Sequence, residues 1–353
     1  MTKRKSVLRF LPLTAMLLFL AGCGEDRLTA LDPYGPAAQW IYDNMILSLY
    51  VMALVVIAVF TLFFIAVVKF RRKPGDDELP KQVEGSKALE VTWTVIPILL
   101  LIILAVPTVQ GTYFFAEEPP SVGASGEGEE EDVQPEEIII DVTAHQYWWQ
   151  FDYPEGFTAG NEVYIPTGEK VWFNLTAGDV MHSFWVPALG GKLDNVPGIE
   201  SMVWLQADEP GVYYGKCAEL CGPSHALMEF KVVALEQDEY DEWVAAMQEE
   251  EVLPEENTIE ADGRQVFENQ GCIGCHAVEG QGGAQGPTLT NFADRERIAG
   301  VFEFNDETLE SWIRNPEEMK QDNNMPSYES LSDEDMEALI AYLNSLSVEE
   351  KMN

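Results

Sequence analysis

Two runs of residues without a single charge constrain what this chain can fold into. Residues 45–68 give 24 such positions and residues 91–116 give 26. At about 1.5 Å per residue, either run as a helix crosses a hydrocarbon core of roughly 30 Å with some tilt. A helix buried in a soluble core is shorter than this. Between the runs lie Lys69, Arg71, Arg72, Lys73, Lys81 and Lys87, the densest basic stretch after the N-terminus. The positive-inside rule puts that loop in the cytoplasm, so both outer ends of the hairpin face the opposite side. Pro97 and Pro107 interrupt the second run, which a membrane helix tolerates where neighbours take the freed carbonyls.

The N-terminus agrees with this topology. Lys3, Arg4, Lys5 and Arg9 precede an apolar run at 11–20 that is too short to span. It ends in Leu20-Ala21-Gly22-Cys23, which resembles the bacterial lipoprotein box. Residues 1–22 are therefore expected to be a lipoprotein signal peptide, with Cys23 lipidated. Residues 23–116 then hold the N-terminal segment and the hairpin.

Charge separates the front of the chain from its back. The 353 residues carry 60 Asp+Glu against 21 Lys+Arg, a net of −39. Residues 1–115 hold a net of +2 and residues 116–353 a net of −41. Such a balance excludes electrostatic binding of nucleic acid, which needs basic surface. At 46% hydrophobic the chain is too apolar to be a disordered acidic protein. The acidic part lies outside the cytoplasm, and its Pro-, Gly-, Ser- and Glu-rich start at 117–137 reads as a solvated linker.

Residues 138–235 change to short β-branched and aromatic runs broken by Gly and Pro, the pattern of a β-sandwich or barrel. Within them, residues 217–228 place Cys217, Cys221, His225 and Met228 on one loop, with His182 upstream. A structural zinc site is the competing reading, since two Cys and two His are a common zinc set. Zinc gains nothing from a thioether, whereas Cys, His and Met together are the soft ligands of copper electron-transfer sites. Two cysteines four apart, with two imidazoles and a thioether, can bridge two coppers.

This loop, with His182 35 residues before Cys217, resembles subunit II of haem–copper cytochrome c oxidases. The resemblance covers roughly residues 40–235, the hairpin and a cupredoxin-like β-sandwich. It implies a binuclear copper centre (CuA) bridged by Cys217 and Cys221, with His182 and His225 giving one imidazole per copper. Met228 and the backbone carbonyl of Glu219 would be weak axial ligands. The Glu219 carboxylate would also bind magnesium at the boundary with subunit I, a hard ligand for a hard cation. Residues 144–149, 189–198 and 89–97 are similar to the aromatic segment beside the copper, the loop facing subunit I, and the start of the second span. Where many relatives carry an electron-accepting tryptophan after His-Gln, this chain has Tyr147, followed by Trp148. Glu90 aligns with a carboxylate that opens a proton channel from the cytoplasm. His145 is left as a packed or loop histidine.

After a second acidic linker at 236–257, residues 258–348 read as an all-α cytochrome c domain. Cys272-Ile273-Gly274-Cys275-His276 is the covalent haem motif, in which two thiols add to vinyl groups and the histidine binds iron. The thioredoxin-like alternative needs a βαβ context that is absent here. The sixth ligand should be a downstream methionine: Met319, Met325 or Met336. Met336 lies in a helical run, whereas Met325 is extended by the proline after it. Its segment resembles the Met-Pro loop of small class I cytochromes c, as do residues 286–289 and the final helix. Met325 is the expected ligand.

The five cysteines thus fall into local patterns with separate chemistry, which argues against a disulfide framework. The resemblance implies subunit II of a cytochrome-c-fused terminal oxidase in a bacterial cell membrane, with both redox domains on the outer side. One haem c and CuA would relay electrons from a soluble donor protein to subunit I, which reduces oxygen to water with proton pumping. Other oxidase subunits and the membrane would be its remaining partners. The CuA subunit of a nitric oxide reductase is the alternative enzyme, and a lipoprotein that ferries electrons or stores copper is the alternative of another class. A quinol oxidase subunit lacks the copper ligands, and nitrous oxide reductase needs a larger catalytic domain. A linker of about 20 residues would hold the haem at an effective concentration near millimolar, so a strong docking contact would be less necessary.

Overall fold

Helix α1 (Pro36–Lys69) and helix α2 (Lys87–Phe115) form the hairpin. Their large side chains, from Leu49 to Phe70 and from Leu89 to Tyr113, stand exposed along the surface, the arrangement of helices solvated by lipid. At the outer end the two helices meet closely. A Cβ on Gly111 would lie 2.1 Å from the Trp40 ring, so only glycine admits this approach. Phe114 and Phe115 then pack on Trp204 of the sandwich at 5.5 and 6.2 Å between ring centres. The computed structural model describes residues 27–71, 75, 82, 84–117, 138–249 and 253–352. The signal segment 1–22, Cys23 and residues 118–137 lie outside the described residues.

Ten strands follow: β1 (Ile138–His145), β2 (Trp148–Asp152), β3 (Thr158–Gly160), β4 (Glu162–Pro166), β5 (Val171–Ala177), β6 (His182–Trp185), β7 (Lys192–Asn195), β8 (Ser201–Leu205), β9 (Gly211–Cys217) and β10 (Glu229–Leu235). They form two five-stranded sheets, ordered β3-β2-β1-β5-β8 and β4-β10-β9-β6-β7. Alternation decides which face is inside. In β1, Ile140, Val142 and Ala144 are buried while Asp141 is exposed. Trp149, Phe184 and Phe230 fill the space between sheets with ring centres 4.6 to 5.7 Å apart.

The segment 236–257 differs from the expected solvated linker. Residues Gln237–Met247 form helix α3, which buries Tyr240, Trp243 and Met247 at helical spacing. Trp243 stacks on Tyr164 of β4 at 4.3 Å, so the helix is an extension of the sandwich core. Its other faces are acidic, which is why composition alone reads as linker.

The C-terminal portion is helical: α4 (Ile259–Asn269), α5 (Asp306–Arg314), the single turn α6 (Pro316–Met319) and α7 (Asp333–Asn344). Thr258, Asn305 and Ser332 cap α4, α5 and α7 through side-chain oxygens. Phe267 of α4 packs on Tyr342 of α7, and both join a core of their own with Leu309, Ile313 and Met336. Two short ribbons, β11 (His276–Val278) with β12 (Gln281–Ala284) and β13 (Arg297–Ile298) with β14 (Phe302–Glu303), complete it.

Candidate metal centre and haem crevice

The β9–β10 hairpin presents the 218–228 loop, and β6 brings His182 to it. Phe184 of β6 pairs with Cys217 of β9, which sets His182 beside the loop's first cysteine. The Cys217 and Cys221 sulfurs are 3.8 Å apart, and both cysteines are buried and unoxidised. His182 Nδ1 lies 3.8 Å from Cys217 Sγ. At the other end, His225 Nδ1 lies 3.6 Å from Cys221 Sγ and Met228 Sδ lies 3.8 Å from it. The Glu219 carbonyl oxygen is 3.2 Å from Cys217 Sγ. His182, Cys217 and Cys221 gather their donor atoms within 4.8 Å of one another. All six expected residues therefore converge, with one imidazole at each end of a paired-sulfur centre. Hydrogen bonding from Cys221, against the opposing effect of burial, lowers the pKa of the Cys217 thiol. Two sulfurs held this close beside two imidazoles suit a soft metal.

Asp179, which sequence reading passed over, orients this centre. Its carboxylate holds His182 Nε2 at 2.8 Å and accepts from the amides of Gln146 and Val180, each at 2.6 Å. Burial opposes its ionisation, but these hydrogen bonds outweigh burial and hold its carboxyl below the usual range. Fixing Nε2 leaves Nδ1 for the metal. An acid three residues before a candidate ligand histidine was a readable signal.

The second site is a cavity of ≈ 420 Å³ whose wall includes Cys272, Cys275, His276 and Met325. Phe267, Leu289, Phe292, Ile298 and Leu343 line it with apolar surface. His276 Nδ1 donates to the Pro287 carbonyl at 2.7 Å, which frees Nε2 to face the cavity. A Cβ on Gly286 would lie 2.7 Å from the His276 ring, so glycine lets the chain pass flat against it. Arg295 is buried in the same wall, its Nη2 donating to the Thr288 carbonyl and Asn291 Oδ1 while its Nε has no hydrogen-bond partner among the described residues, a cation beside a space that suits a flat, carboxylate-bearing macrocycle. These residues fit a covalent haem. Met336 sits in the helical core instead, and Met319 is not on the cavity wall.

The cavity is not closed by the helical domain alone. Gln146, Tyr147, Trp148 and Asn161 of the sandwich complete its lining. Lys320 Nζ donates to the Tyr147 carbonyl at 2.7 Å, Ser224 Oγ to the Gln321 carbonyl at 2.7 Å, and Lys231 Nζ pairs with Glu296 at 2.6 Å. Glu90 is remote from both sites, in the first turn of α2, paired with Lys87 at 3.0 Å. His145 stacks on Trp148 at 4.6 Å and touches no sulfur ligand.

Three family models match consecutive parts of the chain: the transmembrane domain of cytochrome c oxidase subunit II over 32–110, its periplasmic domain over 155–235, and cytochrome c over 260–347. Cytochrome c oxidase subunit 2 of Alkalihalophilus pseudofirmus is 64% identical over 98% of this chain and 99% of its own length. The chain belongs to the cytochrome c oxidase subunit II family. Cytochrome c oxidase subunit 2 of Bacillus sp. (strain PS3) is 45% identical over 95% of this chain and 96% of that one. Quinol oxidase subunit 2 of Bacillus cereus is 38% identical but covers 68% of this chain and 79% of its own length. A subunit II with a fused cytochrome c domain accounts for the whole chain, and the nitric oxide reductase alternative is not favoured. Membership makes the protein a membrane-anchored oxidase subunit that works beside subunit I, with a copper site and a haem implied by its two outer domains.

Proposed function

We propose that this chain takes electrons from a soluble donor protein through one covalent haem c and delivers them to subunit I through a binuclear copper centre. When bound, the haem and the copper pair supply reversible one-electron chemistry, and oxygen reduction belongs to subunit I. Cys272 and Cys275 would hold the haem covalently, and His276 and Met325 would ligate its iron. Cys217, Cys221, His182 and His225 would hold two coppers, with Met228 and the Glu219 carbonyl as weaker donors. Tyr147 and Trp148, which line the crevice and adjoin the copper loop, would carry the electron between them.

The observation that carries this reading is the Cys217–Cys221 pair with one imidazole nitrogen at each end, 3.8 and 3.6 Å from the nearer sulfur. Further roles rest on the same assignment. The Glu219 carboxylate would bind magnesium at the subunit I boundary, and Glu90 would open a proton path from the cytoplasmic side. The protein would sit in a bacterial cell membrane with its redox domains outside and Cys23 lipidated.

Metal and haem analysis of the portion from residue 138 onward tests the core of the proposal. It should hold two coppers and one covalent haem per chain. Zinc, or a single copper with a one-copper EPR signal, overturns it.

A further inference from the structure

One short turn touches both redox sites. Lys320 follows α6 and is 3% exposed, a rare place for a lysine. Its Nζ donates to two carbonyls from different domains, Tyr147 at 2.7 Å and Ala299 at 2.9 Å. The next carbonyl, Gln321, accepts from Ser224 Oγ at 2.7 Å. Ser224 is 2% exposed and directly precedes the copper-loop residue His225. On the other side, Asn323 Nδ2 donates to the Lys320 carbonyl at 2.6 Å, and Asn323 Oδ1 accepts from the Met325 amide at 2.9 Å. An unbroken set of hydrogen bonds thus joins the Met325 backbone to Tyr147 and Ser224.

We propose that residues 320–325 form a bracket that fixes the haem crevice against the copper loop, with Lys320 as its positioning residue. This rests on the assignment of haem to the cavity and copper to the loop. The bracket explains why a lysine is kept where burial is costly. Removing the side chain's donors would strand the buried Tyr147 carbonyl and the half-buried Ala299 carbonyl without their partner. Burial pushes the Lys320 ammonium down to about 7. Either protonation state still offers the two N–H donors that the two carbonyls take. The device therefore holds geometry without depending on charge. Geometry matters because electron tunnelling falls exponentially with distance.

The test uses the complete oxidase carrying Lys320→Met, Lys320→Gln or Ser224→Ala. Three measurements are compared with wild type: haem-to-copper transfer after flash reduction, amide hydrogen exchange over 145–148 and 320–325, and the haem and copper spectra. Lys320→Met should slow transfer about tenfold, since small displacements are costly in positioned reactions. It should also raise exchange in both segments while the spectra stay unchanged. Lys320→Gln keeps an NH₂ with two donors and should recover most of the rate. Ser224→Ala should raise exchange at 320–325 even if Lys320→Met does not assemble. Unchanged transfer and exchange in Lys320→Met, or a Gln variant as slow as Met, overturns the bracket. A failure of the underlying assignment looks different, because haem or copper would then be missing from the wild-type complex.

Discussion

The side-chain amide of Gln146 donates to the carbonyl of Cys221 across 2.6 Å. That contact ties the corner between β1 and β2 to the copper loop, and the same corner walls the haem crevice through Tyr147 and Trp148. A tethered haem at millimolar effective concentration needs no such seating. The structure instead docks the helical domain through Lys320, Ser224 and Lys231, all of them buried on the seam. Transfer between the sites is then a matter of fixed geometry, and linker length matters little to it.

Tyr147 is where this geometry is most exposed to mutation. Its ring is buried in the sandwich core, while its hydroxyl makes a long contact, 3.4 Å, to Asp322 and a hydrogen bond with the Ser224 backbone. Tyr147→Phe should leave haem-to-copper transfer nearly unchanged. Tyr147→Ala removes a buried ring, which costs about 3–5 kcal/mol in well-packed cores, and should slow transfer by opening the seam. Flash-photolysis rates on both variants decide the matter. A Phe variant as slow as Ala would assign the role to the hydroxyl, and no change in either would move the path to Trp148.

Cys221→Ser should abolish the binuclear copper signal and leave the haem spectrum intact. The Cys221 sulfur contacts Cys217, His225 and Met228, none of which lines the crevice, and the bond from Gln146 goes to the Cys221 backbone carbonyl, which the substitution keeps. Copper EPR and the reduced haem spectrum on one preparation provide the check. Loss of both signals would mean that the copper loop also holds up the helical domain.

How far the sequence could be read depended on how local each signal was. The 217–228 loop and the 272–276 motif carry most of their candidate ligands within a dozen residues, so local spacing exposed the chemistry and the resemblance implied the fuller sets with His182 and Met325. The spans announced themselves by length, and β1 by its β-branched run at 138–140. Helix α3 was hidden because the acidic residues around Tyr240, Trp243 and Met247 dominate the composition of 236–257. Lys320 was hidden for another reason. Its partners Tyr147 and Ala299 lie 173 and 21 residues away, and nothing in a local pattern marks a lysine for burial.

Met325→Ala should lower the haem potential. A thioether favours ferrous iron over ferric more than a water ligand does, so its loss stabilises the oxidised form. Met325 is on the cavity wall, whereas Met336 is packed in the helical core. Redox titration of the haem band in Met325→Ala, with Met319→Ala beside it, checks the assignment. An unchanged potential in the first and a lowered one in the second would transfer the role to Met319.

The seam also gives a pH dependence of definite sign. Glu162 opens β4 and is 5% exposed, opposite Lys231 in the parallel β4–β10 register. Burial raises its pKa above the usual 4.5, and Lys231 and Arg295 only partly offset this. Above pH 4.5 the folded carboxyl therefore keeps a proton that the unfolded chain has released. Stability from this group is present below the unfolded value and is lost as pH rises through the folded one. Glu162→Gln removes the titration and keeps the shape. Lys231 would still hold Glu296, its nearer partner at 2.6 Å against 3.6 Å for Glu162. The Gln variant should accordingly melt above wild type at about pH 8, with the advantage shrinking or vanishing near about pH 4. Calorimetry of both proteins across this range tests it. A Gln variant that melts lower at pH ~8 would show that the Lys231 pairing outweighs the burial of the charge.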